Sequence, residues 1–463
     1  MAINNPHPNY EATKSKWFLV RSVIDSAAQS FIRTVDSKDE ARSKTYIQNA
    51  ILTNFTSLTR EGLTGLVFRR DPKIEIPDEL QYLLDDAVGD DRGLMQLAKQ
   101  SLGEVMITGR HGLLVDFPRS KGGVSIADTE NLKAHIIPYK AENIINWNIE
   151  RVDGKAVIKF IVLHEPTLEL VDDFDWALKD KYRLLKLDDE GNYYQAIYDE
   201  NLDIEDFVYP LDKDGNNLKE IPFSFVGSED NNEEMDKAPL LDLATLNIGH
   251  YRNSADYEES VFVVGQPSLF ISSDWGVQEF NEALPNGVKI GARQGHFVGP
   301  NGNAYFLQAN ANQLSAEAMR DKLKQAAFIG ARLISEPGGR ETAEGVKIRF
   351  SSQNSALHTI VMNEDDAIEK SLKFCTWFMG GDSENIIFKL NREFYPETAD
   401  PQLIAQNIML YQNAVISREE FRDDLKQKNV IDIDKTDEEF EEELLNSDPF
   451  IGDVNANDDE QIN

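Results

Sequence analysis

The sequence predicts a fold of the α+β class on three observations: helix-period apolar patterning towards the N-terminus, short alternating runs from His135 to Phe225, and long helix-period segments after residue 238. Helices and strands are thus segregated along the chain. The length of 463 residues gives a prior of two to four compact units, and the 41% apolar and 28% charged composition is that of an ordinary globular protein.

After a polar start, residues 17 to 66 carry helical spacing in "TKSKWFLVRSVIDSAAQSFI" and "SKTYIQNAILTNFTSLTREGLTGLVF", read as two or three helices. "GLMQLAKQSLGEVMITG" places Leu94, Leu97, Ala98, Leu102, Val105 and Met106 on one face and stops at Gly109. "LLVDF" follows as a buried strand. Asp-Gly and Glu-Gly turns then punctuate three hairpins, "ERVDGKAVIKFIVL", "LLKLDDEGNYYQAIY" and "FVYPLDKDGNNLKEIPF". The polar, acidic "SEDNNEEMDK" marks a loop or boundary.

Helix returns over residues 238 to 263, where Leu240, Leu243, Ala244, Ile248, Tyr251, Ala255 and Phe262 recur at helical spacing over roughly 39 Å. Residues 266 to 312 read as an insert with turns at "LPNGV" and "GPNGN", and "LSAEAMRDKLKQAAFIGARLIS" as a second helix. Pro337, Gly338 and Gly339 break that helix. "SSQNSALHTIVMNEDDAIEKSLKFCTWFMGG" is helical again. Its start is open: Val346, Ile348 and Phe350 alternate with Lys347 and Arg349 as in a strand, while Ala343, Val346, Phe350 and Leu357 keep a helical phase. "SENIIFKLNREFYP" reads as a strand, and "DPQLIAQNIMLYQNAVISREEFRDDLKQKNVI" as two helices joined near Ser417.

Charge and chemistry narrow the function. Asp and Glu number 81 against 47 Lys and Arg, a formal net charge of -34, which disfavours a broad phosphate-gripping surface. From Ile431 onward, thirteen carboxylates stand against Lys435 alone, so that end is expected to be a solvated tail. Cys375 is the only cysteine, which rules out an intrachain disulfide framework. The N-terminus lacks the apolar run of a signal peptide and no stretch approaches ~20 apolar residues, so synthesis in the cytoplasm without membrane insertion is expected. The seven histidines show no metal-ligand spacing, and the common nucleotidase and hydrolase signatures are missing, so no cofactor, no metal and no catalysis are expected. "TGRHGLLVDFP" around Arg110 reads better as a helix cap and buried strand than as a phosphate loop, "DKDGNN" from Asp212 as a turn rather than a calcium loop, and Cys375 as a core residue.

This element order resembles that of the portal proteins, or head-to-tail connectors, of tailed bacteriophages. "YIQNAILTNFTSLTREGLTGLVFRRDP" and "GEVMITGRHGLLVDFP" are similar to the N-terminal signature of one portal branch. "RETAEGVKIRFSSQNSAL" resembles the Glu-Thr-Ala segment with which many portals enter their longest helix. The resemblance spans roughly residues 17 to 430.

It implies an elongated portal fold: a wing (1–237), stem helices (238–264 and 313–335), a small β-containing clip (265–312), a tunnel loop (336–343), a long wing helix (344–383), a helical crown (384–432) and an acidic tail (433–463). It favours helix at Ala343, with Gly345 as a weak or kinked point. It implies a virion location at one capsid vertex and a homo-oligomeric ring, a dodecamer, through which double-stranded DNA passes without sequence specificity during packaging and ejection. The implied partners are the terminase large subunit and neck, adaptor and capsid proteins. Glu336, Pro337, Gly338, Gly339, Arg340, Lys347 and Arg349 would line the channel, where an acidic wall with few cations lets DNA slide. Two alternatives stay open: another ring-forming neck or tail component, and a metal-dependent hydrolase using carboxylates such as Asp116, Asp172 and Asp173.

Overall fold

The computed structural model describes residues 2–35, 38–117, 132–266, 268–285, 299–307, 313–329, 343–392, 394, 409–411, 417 and 421–422. The chain divides into two compact units, Met1–Arg392 and Glu393–Asn463. In the second unit, Tyr411 stacks on Phe421 with ring centroids 5.0 Å apart.

The first unit is of mixed α+β build, with antiparallel sheets. Three helices open it: α1 (Pro8–Ile24), α2 (Glu40–Asn49) and α3 (Phe55–Val67). Each has a local start signal: His7 Nδ1 accepts from Asn9 N–H, Asp39 from Arg42 N–H at 2.9 Å and Asn54 from Ser57 N–H at 3.0 Å. Helix α1 begins inside the stretch read as a polar start, because a capping His7 and Pro8 at the first turn nucleate it. It also stops at Ile24, short of the expected run to Ile32: Ser26 takes a left-handed conformation, and Ala28–Phe31 forms a single 3-10 turn.

Helix α4 (Leu94–Thr108) ends at Gly109, whose φ of 76° is left-handed and whose α-carbon lies against the Asp236 and Lys237 carbonyls. A Cβ there would sit 2.9 Å from both oxygens. The next strand, β2 (Arg110–Asp116), is buried along nearly its whole length, as expected from "LLVDF". It lies in the centre of a three-stranded sheet between β3 (His135–Lys140) and β9 (Phe223–Gly227).

A second sheet is a meander of β4 (Ile144–Val152), β5 (Lys155–Leu170), β6 (Trp176–Leu187), β7 (Tyr193–Tyr198) and β8 (Ile204–Val208). Two of the three expected hairpins are present, β4–β5 around Asp153-Gly154 and β6–β7 around Glu190-Gly191. The third is not. Asp212 closes a tight turn by accepting from Asp214 and Asn216 N–H, but only Leu211 and Asn217 bridge. The chain then crosses over, and β9 pairs with β2 instead.

Helix α5 (Leu241–Gly265), strand β10 (Ser268–Ser272), helix α6 (Val277–Ala283), strand β11 (Asn303–Leu307) and helix α7 (Leu314–Ile329) follow. The short α6 within the insert was not legible from its pattern. Helix α8 (Ala343–Met379) is continuous through Gly345, so the segment that could have been strand is helix. It packs on β2, β9 and α4 and ends at Gly380 and Gly381. Beyond it, among the described residues of the expected strand, Ile387–Lys389 forms β12 and pairs with β1 (Lys73–Glu75). Asp365 of α8 holds the exit by accepting from Leu390 N–H at 2.9 Å and pairing with Arg392 at 2.7 Å.

Candidate assembly surface

The residues expected to line a channel fall mostly outside the described structure: Glu336, Pro337, Gly338, Gly339 and Arg340 lie in 330–342. Lys347 and Arg349 lie in the first turns of α8. The geometry that can be built belongs to the segment just before them, the arm made by α5, β10, α6, β11 and α7.

The arm is anchored at one end only. The inner half of α5 buries Leu243, Ala244, Ile248, Tyr251 and Ala255 against the N-terminal helices. Polar contacts fix it there. Asn247 Oδ1 accepts from Thr56 Oγ1–H at 2.9 Å and its amide donates to the Thr53 carbonyl; Ser254 Oγ accepts from Ile51 N–H at 3.0 Å. Tyr46 donates to Asp256 at 2.7 Å, and burial, with that bond, pushes its phenol well above the ordinary value. Arg42 pairs with Glu259 at 2.9 Å.

Beyond Ala255 the character changes. Among the described residues from Asp256 to Gln325, none is buried. At 1.5 Å per residue α5 is about 37 Å long, and its outer part runs beside α7. Lys322 of α7 lies over Gly249 and donates to Asn253 Oδ1. Further out, a cleft of about 620 Å³ opens between the two helices, lined by Tyr257, Val261, Val264, Ala316, Glu317 and Arg320. Val261, Phe262, Val263, Phe270, Tyr305, Phe306, Leu314, Phe328 and Ile329 are all exposed, Phe262 by 56% and Phe328 by 71%. β10 and β11 make only a two-stranded pair, which is marginal alone. Among the described residues this part of the arm exposes large apolar side chains and buries none, the pattern of an interaction surface.

The other candidates resolve into structural roles. Arg110 is buried with its guanidinium 4.2 Å from both the Trp147 and the Phe225 ring centroids, and Nη1 donates to the Glu233 carbonyl at 2.8 Å. Burial pushes its pKa down to about 9. It clamps the 228–237 loop on the sheets rather than offering a phosphate site. Cys375 is fully buried, which pushes its thiol well up and away from a nucleophile's range.

The carboxylates of the hydrolase reading do not converge. Asp116 pairs with Arg183 at 2.9 Å and accepts from Gln195, whereas Asp172 and Asp173 sit at the β5–β6 turn, seven residues of strand and so roughly 23 Å away. Among the described residues no three His, Cys, Asp or Glu side chains are grouped to hold a metal. No described helix is long and apolar enough to cross a membrane.

Two features escaped the sequence. Glu364 is fully buried on α8, and a signal existed: it falls three residues after Val361 and four before Ile368, on the apolar stripe. The second is an apolar ribbon in β5 and β6, whose alternation in "PTLELVDDFDWALKD" was readable.

Residues 239–379 match a family model described as a domain of unknown function, DUF4055; they include the whole arm and all of α8. No curated protein matches the chain. Solved structures to which it is similar include a chain of the virion of the native gene transfer agent particle, at 12% identity over 82% of this chain and 91% of that one, with a TM-score of 0.41. A chain of the neck of the native particle computed with C12 symmetry (11% identity, same coverage, TM-score 0.41) and one of the neck of the empty particle computed with C6 symmetry (12%, same coverage, 0.41) are similar to the same degree.

Proposed function

We propose that this chain is a phage portal protein: it forms a ring at one capsid vertex, conducts DNA in packaging and ejection, and docks terminase, neck and capsid proteins, with no catalytic turnover of its own. The observation that carries the reading is the arm, whose residues from Asp256 to Gln325 include none that is buried among those described and eight large apolar ones that are exposed. Among the described residues nothing buries this surface, and every copy brings the same one. Side-by-side copies joined by a heterologous contact cover it, and such contacts close into a ring when the rotation allows. The resemblance of "RETAEGVKIRFSSQNSAL" to the portal segment supports placing residues 336–343 and Arg340, Lys347 and Arg349 at the channel. The acidic balance supports passage of DNA rather than its retention.

The test is imaging and native mass measurement of the full chain, for which rings with a central opening are expected. A monodisperse monomer across a wide concentration range would sink the proposal. Particles assembled with Arg340→Glu, or with Gly338 and Gly339 both changed to valine, are expected to keep the ring and to package or eject DNA abnormally. Normal DNA handling by both variants would move the ring to another neck or tail position.

A further inference from the structure

Strands β5 and β6 are longer than the sheet they belong to. β4 pairs with β5 only from Lys155 to Leu163, and β7 pairs with β6 only from Tyr182 to Leu187. Beyond those limits the β5–β6 hairpin continues as an antiparallel two-stranded ribbon to the pair Leu170 and Trp176, roughly 23 Å past the sheet.

The register sorts the ribbon into two unlike faces. On one, Glu165, Thr167 and Glu169 stand opposite Lys181, Lys179 and Ala177. That face is satisfied internally: Lys181 bridges Glu169 and Glu205 at 3.0 Å each, and Lys179 reaches Glu169 at 3.4 Å. The other face carries the cross-strand pairs Leu168 with Leu178 and Leu170 with Trp176, capped at the turn by Val171 and Phe174. All six are more than half exposed, Phe174 by 90% and Trp176 by 63%. Together they offer roughly 700 Å² of apolar surface, more than a lone surface patch usually shows. The turn is ordered by hydrogen bonds between Val171, Asp172 and Asp175, so the apolar groups are presented on a built scaffold.

Apart from His164, whose Nε2 meets Asp180 Oδ1 at 2.8 Å, the charges around this face among the described residues are negative. Asp172, Asp173 and Asp175 flank Phe174, and Asp180 stands on the apolar face itself, opposite Pro166. The two ribbon lysines point to the opposite face and are paired there. A second copy of this chain, with net charge -34, and an anionic lipid surface are both electrostatically mismatched to that rim.

We propose that the β5–β6 ribbon is a docking site for a different protein, one presenting an apolar groove rimmed by lysine or arginine. Phe174 and Trp176 insert as anchors, and the aspartates set orientation and exclude sister copies. The site is independent of the arm and stands whether or not the chain forms a ring.

Three full-length proteins test it: the parent, an apolar-face variant (Leu170→Ser, Phe174→Ser, Trp176→Ser) and a rim variant (Asp172→Asn, Asp173→Asn, Asp175→Asn). The probes are an amphipathic Leu/Lys helical peptide, its Leu/Glu counterpart, and phosphatidylcholine/phosphatidylglycerol vesicles, all at physiological salt. The serine variant keeps every charge, and the asparagine variant removes three charges from a net of -34, so general attraction of a cationic peptide is nearly constant across the set. The expected result is that the parent binds the Leu/Lys peptide at least about tenfold more tightly than either variant and does not bind the Leu/Glu peptide. Equal binding by parent and serine variant overturns the proposal. So does parent binding to the vesicles that the serine variant loses, which assigns the ribbon to a membrane. A smaller oligomer for the serine variant than for the parent also overturns it, by assigning the ribbon to a second copy. Since all substituted side chains are more than half exposed or lie in the turn, circular dichroism and the melting temperature should stay at the parent values.

Discussion

Replacing Glu364 by glutamine should stabilise the protein in a pH-dependent way. Glu364 on α8 is fully buried; Oε2 accepts from Ser101 Oγ–H of α4 at 2.8 Å, and Oε1 has no hydrogen-bond partner. Burial pushes its pKa up to about 8, and the neighbouring Asp365 charge adds to the rise. The unfolded chain releases this proton near the ordinary glutamate value of 4.5, so between there and about pH 8 the unfolded state binds fewer protons than the folded one. Stability from this group is therefore full below pH 4.5 and is lost as pH rises through that window. The shift corresponds to a loss on the order of 5 kcal/mol by pH 8 and of 3 kcal/mol at pH 7. A glutamine keeps the shape and an oxygen for Ser101 but never ionises. Urea unfolding of Glu364→Gln followed by tryptophan fluorescence should match the parent at pH 4.5 and exceed it by about 3–5 kcal/mol at pH 8. Asp365, pushed up to about 6 mainly by burial, is present in both proteins and cancels in the difference. An equal change at both pH values, or a loss at pH 8, would refute the reasoning.

Gly109→Ala combines a left-handed backbone with a Cβ 2.9 Å from two carbonyl oxygens and should cost about 1–3 kcal/mol, read as a fall in melting temperature. Arg110→Met keeps a side chain between Trp147 and Phe225 but frees the Glu233 carbonyl; it should cost about 2 kcal/mol and speed tryptic cleavage at Lys237, whose loop Arg110 holds. Phe262→Asp with Phe328→Asp should abolish assembly on size-exclusion chromatography while the unfolding of the subunit changes by no more than about 0.5 kcal/mol, since both side chains are more than half exposed.

The legible parts of the fold were those whose signal is local. The α4 stop at Gly109, the buried β2, the Asp-Gly hairpin and the helices on either side of the insert each follow from a cap, a turn residue or a period within about fifteen residues. The misses needed a long-range partner to decide them. Strand β9 looked like the return arm of a hairpin around Asp212, yet its partner is β2, more than a hundred residues earlier. The strand expected at Ile387–Lys389 is there, and its pairing with β1, more than three hundred residues earlier, is the part the sequence did not show. Around Arg110 the helix cap and buried strand were legible, while the inward turn of its charge depends on the folded positions of Trp147, Phe225 and Glu233.

The same limit explains why periodicity found the arm without finding its purpose. Along α5 the apolar residues recur with one helical phase from Leu243 to Phe262, but the inner ones are covered by this chain and the outer ones are not. A hydrophobic period reports that a face is to be covered, not which chain covers it. Rim charge supplies what the period omits. The cleft on the arm is bordered by Glu317 and Arg320, one charge of each sign, so a neighbouring copy of the same surface can offer each its opposite. The β5–β6 ribbon is bordered at its apolar tip by Asp172, Asp173 and Asp175, and a neighbouring copy of that tip offers only more of the same sign. As proposed, the arm takes a sister subunit and the ribbon a cationic groove of another protein. If both proposals hold, the two surfaces need not compete, since the arm cleft is bordered by both signs and the ribbon tip by aspartates.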